Sequence, residues 1–250
     1  MMAEGKNPML NSENTWKNSV FPVLVLVGSD FKLLGTAFSI TDNGIYICAR
    51  HVVNEISEQG GIPVICNFMD SNNYVMRPIL NVVSHDIADI CVLVGENMAH
   101  PQKGLLKNHA LKLKFSCQAM GKNIWTFSYP DSQIKQANGK TMMDFKPNIY
   151  RGTLEDFHSI GRDRVMLPFP CYRGTINLAG GTSGGPVFDD SSEGVFGVCL
   201  SSFSGQEDVS YYADIKLIST LLLPKCIIAD QPEKKVRVID LINRGFIQVC

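Results

Sequence analysis

The sequence has no Cys-x-x-Cys pair, no internal repeat and no low-complexity tract. It also lacks any apolar run long enough to cross a bilayer, which takes about 20 residues in a helix. The first such run, Val20 to Val27, holds eight residues and contains Pro22. No basic leader stands close before it and no small-x-small site follows, so it does not read as a secretion signal. Excess positive charge is missing too: 23 Lys plus Arg stand against 24 Asp plus Glu, a formal net charge of −1. Neutralising phosphates needs a cationic surplus, so a nucleic-acid or anionic-membrane partner is not expected. Lys103, Lys107, Lys112 and Lys114 fall in one stretch without interleaved aromatics, and a solvated surface accounts for them.

Charged residues make up 19% and hydrophobic ones 45% of the 250, a globular balance with enough chain for a sizeable core. Eight cysteines invite a disulfide framework, but Cys48, Cys66, Cys91 and Cys199 sit inside apolar runs, where a thiol packs as a small hydrophobe. Cys48 and His51 form a lone Cys-x-x-His with no second half, so no metal site is expected, and no organic cofactor is implied. Reduced thiols and the missing export signal together point to a reducing, cytoplasmic setting.

Twenty-one Gly and twelve Pro punctuate many short apolar runs, the pattern of an all-β chain with frequent turns. The first series is Val20 to Val27, Gly35 to Ile40, Ile45 to Ala49, Ile62 to Phe68, Tyr74 to Val83 and Ile90 to Val94. Asp42-Asn43-Gly44 marks a hairpin, because Asn-Gly accepts positive φ. After a polar connector come Phe115 to Met120, Ile124 to Phe127, Asn148 to Thr153, Arg164 to Leu167, Gly185 to Phe188, Gly194 to Leu200 and Ser210 to Asp214. Ile215 to Leu223 has the length of a short closing helix stopped by Pro224, and Lys-Lys-Val-Arg-Val-Ile-Asp-Leu-Ile near the end suits strand or helix equally. The expected organisation is a mobile leader over 1–18, a first unit over 19–110, a second over 111–225 and an extension over 226–250.

One stretch carries chemistry in its spacing: Gly181-Thr182-Ser183-Gly184-Gly185-Pro186-Val187-Phe188. A serine among glycines ahead of an apolar strand suits a nucleophile on a tight turn. The N–H groups of Gly181 and Ser183 can converge there on one oxyanion. A serine hydroxyl needs a base, and His51, just after the apolar run Ile45 to Ala49, is the candidate. The base needs an orienting carboxylate. Asp89 opens an apolar run at a strand's mouth; Asp86, with polar neighbours, is the runner-up.

The order His51, Asp89, Ser183, in the segments GIYICARHVV, DIADICVLV and GGTSGGPVF, resembles the trypsin-like, chymotrypsin-fold serine proteases. GTAFSI and GVFGVCLSS bring it nearer the bacterial HtrA/Deg-like and glutamyl-endopeptidase-like branches than digestive trypsin. The likeness covers roughly residues 20 to 223, and the 27 residues beyond are too few for a PDZ domain. It implies two six-stranded antiparallel β-barrels with the triad in the cleft between them, and a serine endopeptidase acting on peptide or protein substrates. It implies that Leu200, Ser201 and Ser202 pair with the substrate backbone. Asn177, six residues before Ser183, stands at the pocket floor where basic-specific members carry Asp, which disfavours Arg or Lys before the scissile bond. Thr182 replaces the Asp that receives a new amino terminus in secreted zymogens, so trimming is not the expected switch, and a regulatory protein partner becomes the alternative. Arg50 replaces the small or polar residue common before the histidine, a departure the sequence leaves without an account. A catalytically silent peptide-binding module on the same fold is the competing function.

Overall fold

The structure is a computed structural model that describes residues 16–69, 73–100, 104–137, 140–190, 194–202, 209–224 and 235–250. Six strands build the first barrel: β1 (Val20–Val27), β2 (Asp30–Ser39), β3 (Ile45–Cys48), β4 (Ile62–Phe68), β5 (Tyr74–Ser84) and β6 (Cys91–Gly95). They close antiparallel in the order β1-β2-β3-β6-β5-β4. Short pieces follow as β7 (Ala99–His100), β8 (Gly104–Leu105) and β9 (Lys112–Leu113). The second half contributes β10 (Asn123–Ser128), β11 (Gln133–Ala137), β12 (Lys140–Asp144), β13 (Asn148–His158), β14 (Cys171–Gly174), β15 (Pro186–Asp189), β16 (Gly194–Ser202) and β17 (Ser210–Asp214). Its second barrel runs β15-β10-β13-β14-β17-β16 and closes through the β15–β16 pairing, while β9 lies parallel along the start of β16. The chain therefore has the two six-stranded antiparallel barrels of the chymotrypsin-like fold.

Burial on both faces marks how the closed barrel sits in the molecule. β1 is buried at six successive positions and β6 at all five, because one face of each lines the barrel and the other meets neighbouring structure. One apolar cluster runs continuously from Val20 and Tyr46 in the first half to Phe188, Val198 and Leu241 in the second. A smaller cluster of Ile124, Leu154, Tyr172, Phe196 and Tyr212 fills the second barrel. The β11–β12 hairpin, which the sequence pattern did not signal, places Ile134 and Met143 against Leu24, Val64 and Cys66 of the first barrel.

Several sequence expectations change. Residues 164–167 do not form a strand: the Asp163 carboxylate accepts the N–H groups of Val165 (2.9 Å) and Met166 (2.6 Å), curling the chain into a turn. Residues 115–120 form no strand either, since the chain leaves β16 after the Lys114 N–H bonds Val195. The closing helix is a 3-10 segment, Ile215–Thr220, capped by Asp214 and followed by β18 (Leu222–Leu223). The ambiguous C-terminal stretch is both strand and helix: β19 (Val236–Arg237) pairs with β18 and leads into a short helix, Val238–Asn243. Trp16, inside the expected leader, packs edge-on against Trp125 at 5.1 Å between ring centroids, and residues 1–15 lie outside the described residues. Among the described residues no helix is long and apolar enough to cross a membrane.

The barrels touch closely at Gly184, which has φ of +86°. A Cβ there would run into the carbonyl of Thr36 and stand 2.7 Å from the Cys48 sulfur. Gly60 has φ of +65° but faces open space. Gly184→Ala should therefore lower the unfolding free energy by more than about 3 kcal/mol, against about 1 kcal/mol for Gly60→Ala. Urea unfolding of both variants checks this; equal losses would contradict the close approach.

Candidate active site

His51 lies in the first turn of an α-helix, α1 (Arg50–Gln59), and not at a bare strand end. A local signal for the helix existed at its end, where Gly60 stops it in the left-handed region. Its N-cap residue, Ala49, has no side chain able to accept the exposed N–H groups. Asp89 supplies that acceptor from 38 residues away. One carboxylate oxygen accepts the His51 backbone N–H at 2.8 Å, and the other meets His51 Nδ1 at 2.6 Å. A single carboxylate thus caps the helix and holds the imidazole. Burial pushes the Asp89 carboxyl up, but its bonds to His51, with a smaller pull from Arg50, outweigh that and hold it below the ordinary carboxylate range. With Nδ1 so engaged, Nε2 is the free ring nitrogen; the His51 side chain is 45% exposed. Asp86 makes no such contact with the ring; its carbonyl instead accepts from Arg50.

Ser183 is placed from the other barrel. The Thr182 N–H bonds the Ala179 carbonyl at 3.2 Å, and Gly181 has φ of +90°. This combination is a type II turn, which needs glycine at its third position. Such a turn fixes the direction of the Gly181 N–H, and among the described residues neither this N–H nor that of Ser183 is paired with a backbone acceptor. Both are thus available as the expected oxyanion donors. The nucleophile loop is tied to the first barrel at Thr36. The Thr36 N–H donates to the Ser183 carbonyl at 2.9 Å, and the Thr36 hydroxyl donates to the Gly181 carbonyl at 2.8 Å. Gly35 leaves the room: a Cβ there would stand 2.8 Å from the Ser183 carbonyl and 2.9 Å from Val52, the neighbour of His51.

The Ser183 hydroxyl donates to the Leu200 carbonyl at 2.7 Å and is not hydrogen-bonded to His51. The Leu200 carbonyl is free for this because β16 bulges there: Cys199 pairs with Tyr212 and Ser201 with Tyr211, skipping Leu200. Ser201 and Ser202 keep one edge on β17. Among the described residues no strand pairs with their other edge. Asn177 is exposed between buried Ile176 and Leu178. Thr182 is fully buried, and its hydroxyl finds no partner among the described residues.

Thiols nearby are not rival nucleophiles. Burial pushes Cys48 well up, and Cys199 up to about 12. The seven cysteines within the described residues are free, and Cys226 lies outside them.

No protein-family model and no curated protein sequence matches the chain. Solved structures do. The active form of the Rv3671c protease from M. tuberculosis aligns at 19% identity over 85% of this chain and 81% of that one, with a TM-score of 0.57. Deg5 aligns at 15% identity over 86% and 92%, TM-score 0.60. The HtrA-type protease AlgW, determined with a tripeptide, aligns at 15% over 83% and 60%, TM-score 0.57. At such identities the likeness establishes the fold, that of HtrA/Deg-type trypsin-like serine proteases.

The cap role of Asp89 has a pH consequence. A carboxylate with a depressed native pKa stabilises the fold fully above its unfolded pKa, and that contribution fades as pH falls through the native value. Asp89→Ala should cost about 1–2 kcal/mol near neutrality, a gap that closes below about pH 4. Asp86→Ala should change stability by less than about 0.5 kcal/mol. Denaturant melts at several pH values decide it; a pH-independent loss at Asp89 would contradict the cap.

Proposed function

We propose that the chain is a serine endopeptidase acting through an acyl-enzyme. The observation that carries this reading is the Asp89-held imidazole of His51 on a helix packed against Gly35, at the same spot where the Ser183 loop crosses from the second barrel. Ser183 Oγ attacks the scissile carbonyl while His51 Nε2 takes its proton. The same proton goes to the leaving amine as the C–N bond breaks. Water, deprotonated by His51, then attacks the ester, and Ser183 leaves with its proton restored. Asp89 fixes the tautomer that leaves Nε2 free and stabilises the imidazolium. The N–H groups of Gly181 and Ser183 hold the oxyanion.

Before attack the Ser183 hydroxyl must turn from the Leu200 carbonyl to His51, a rotation between staggered side-chain wells. Substrate lies along the open edge of Leu200, Ser201 and Ser202 as an added strand. With Asn177 lining the pocket, small, apolar or polar residues precede the scissile bond, and cations lack a counter-charge. The free thiols among the described residues support a reducing, cytoplasmic setting.

The hydroxyl's engagement with Leu200 favours a second reading, in which the site is latent until a regulatory partner or substrate releases it, or is a silent peptide-binding module. Active-site titration separates these readings. One acyl group per chain supports the enzyme, peptide binding without acylation the module, and acylation only after a partner is added the latent form.

Ser183→Ala should abolish fluorophosphonate labelling and lower kcat by about 10⁶-fold. Asp89→Asn should lower it by about 10⁴-fold through the wrong tautomer. Labelling that survives Ser183→Ala, or a kcat left undiminished in Asp89→Asn, would refute the mechanism.

A further inference from the structure

We infer that Arg50 is a positioning residue that braces the Asp89 turn against the His51 helix. The catalytic part of this inference rests on the endopeptidase reading; the structural part does not. Arg50 opens α1 directly before His51. Its guanidinium reaches the chain just before Asp89. Nη1 donates to the carbonyls of His85 at 2.8 Å and Asp86 at 3.1 Å, and Nη2 donates to that of Ile87 at 3.4 Å. These three carbonyls belong to the connection between β5 and β6, which delivers Asp89. The turn has an internal tie as well: His85 Nδ1 accepts the N–H groups of Ile87 at 3.2 Å and Ala88 at 3.0 Å.

The two elements therefore hold each other in both directions. Asp89 reaches from the turn to the helix, taking the backbone N–H and Nδ1 of His51. Arg50 reaches from the helix to the turn, and its hydrogen bonds go to backbone oxygens instead of a carboxylate. A flat fork of donors suits several carbonyls at once; a lysine ammonium offers a single point of charge and cannot span three acceptors equally. Without this brace the turn keeps its His85 tie but loses its registry with α1, and Asp89 Oδ2 no longer stays at hydrogen-bond distance from Nδ1. The geometry also accounts for an arginine where the sequence pattern favours a small residue. In the present chain the space before the histidine is used for a strut.

The test needs a readout that a merely stabilising side chain would not move. The proton in the short His51 Nδ1–Asp89 bond gives a far-downfield ¹H NMR resonance when the imidazole is protonated. It can be followed in full-length Ser183→Ala protein, where no turnover is required. Asp89→Ala in the same background assigns it by its loss. Arg50→Ala should broaden the resonance away or speed its exchange at least tenfold, while Arg50→Lys retains it in part. In the active background Arg50→Ala should lower kcat by about 10²-fold with little change in KM. Millimolar guanidinium should restore part of that loss. If Arg50→Ala does not fold, Arg50→Gln, which keeps a single donor nitrogen on a shorter side chain, takes its place with the same expected direction. A resonance in Arg50→Ala with unchanged position and exchange would overturn the inference, as would its absence from the parent protein. A protein that shows the resonance, loses it with Arg50, yet never acylates would leave the brace standing and remove the endopeptidase reading.

Discussion

Everything at the candidate site depends on how the two barrels are registered, and that registry runs through Thr36. Its N–H holds the Ser183 carbonyl and its hydroxyl holds the Gly181 carbonyl. The residue is fully buried, so these bonds do not compete with water. Around them the packing admits only hydrogen at two positions, Gly35 and Gly184. The Ser183 loop is thereby clamped from the barrel that carries His51. A site divided between two bodies needs such a contact, since a displacement near 1 Å can cost about two orders of magnitude in rate.

The base and its carboxylate show a second economy. Helix α1 begins without a capping side chain of its own, and the carboxylate that orients the imidazole also satisfies the helix's open N–H. Stability and the proposed chemistry are thus coupled at Asp89, whose carboxylate both caps the helix and holds the imidazole. The Ser183 hydroxyl is the exception. It rests on the bulged Leu200 carbonyl and must turn away from it to reach the proposed reactive arrangement. The bulge thus links the nucleophile to the strand where substrate would add.

Much of this was readable beforehand. The short apolar runs between turn residues located β1 and β17 to the residue, and the spacing around Ser183 and Asp89 named the groups that the structure ties to Thr36 and His51. The misses have local physical causes. At 164–167 the apolar residues Val165 and Met166 suggested a strand, but the carboxylate of Asp163 outcompeted ladder pairing for their N–H groups. The β11–β12 hairpin was hidden because its apolar residues are sparse and pack on a different barrel from their own. Helix α1 lacks a start signal of its own because its cap comes from across the barrel, which left only its Gly60 stop signal in the local sequence. Arg50 could not be assigned for the same reason, its partners being carbonyls 35 to 37 positions away.

The central claim is that the Ser183 hydroxyl and the His51 imidazole act on one another across the barrel groove. A crystal structure of the protein treated with a peptidyl phosphonate tests this most directly. The account predicts a covalent bond from Ser183 Oγ to phosphorus and a phosphoryl oxygen against the N–H groups of Gly181 and Ser183. It also predicts His51 Nε2 within hydrogen-bond reach of Oγ. An unmodified serine still resting on Leu200, with the imidazole out of reach, would contradict it.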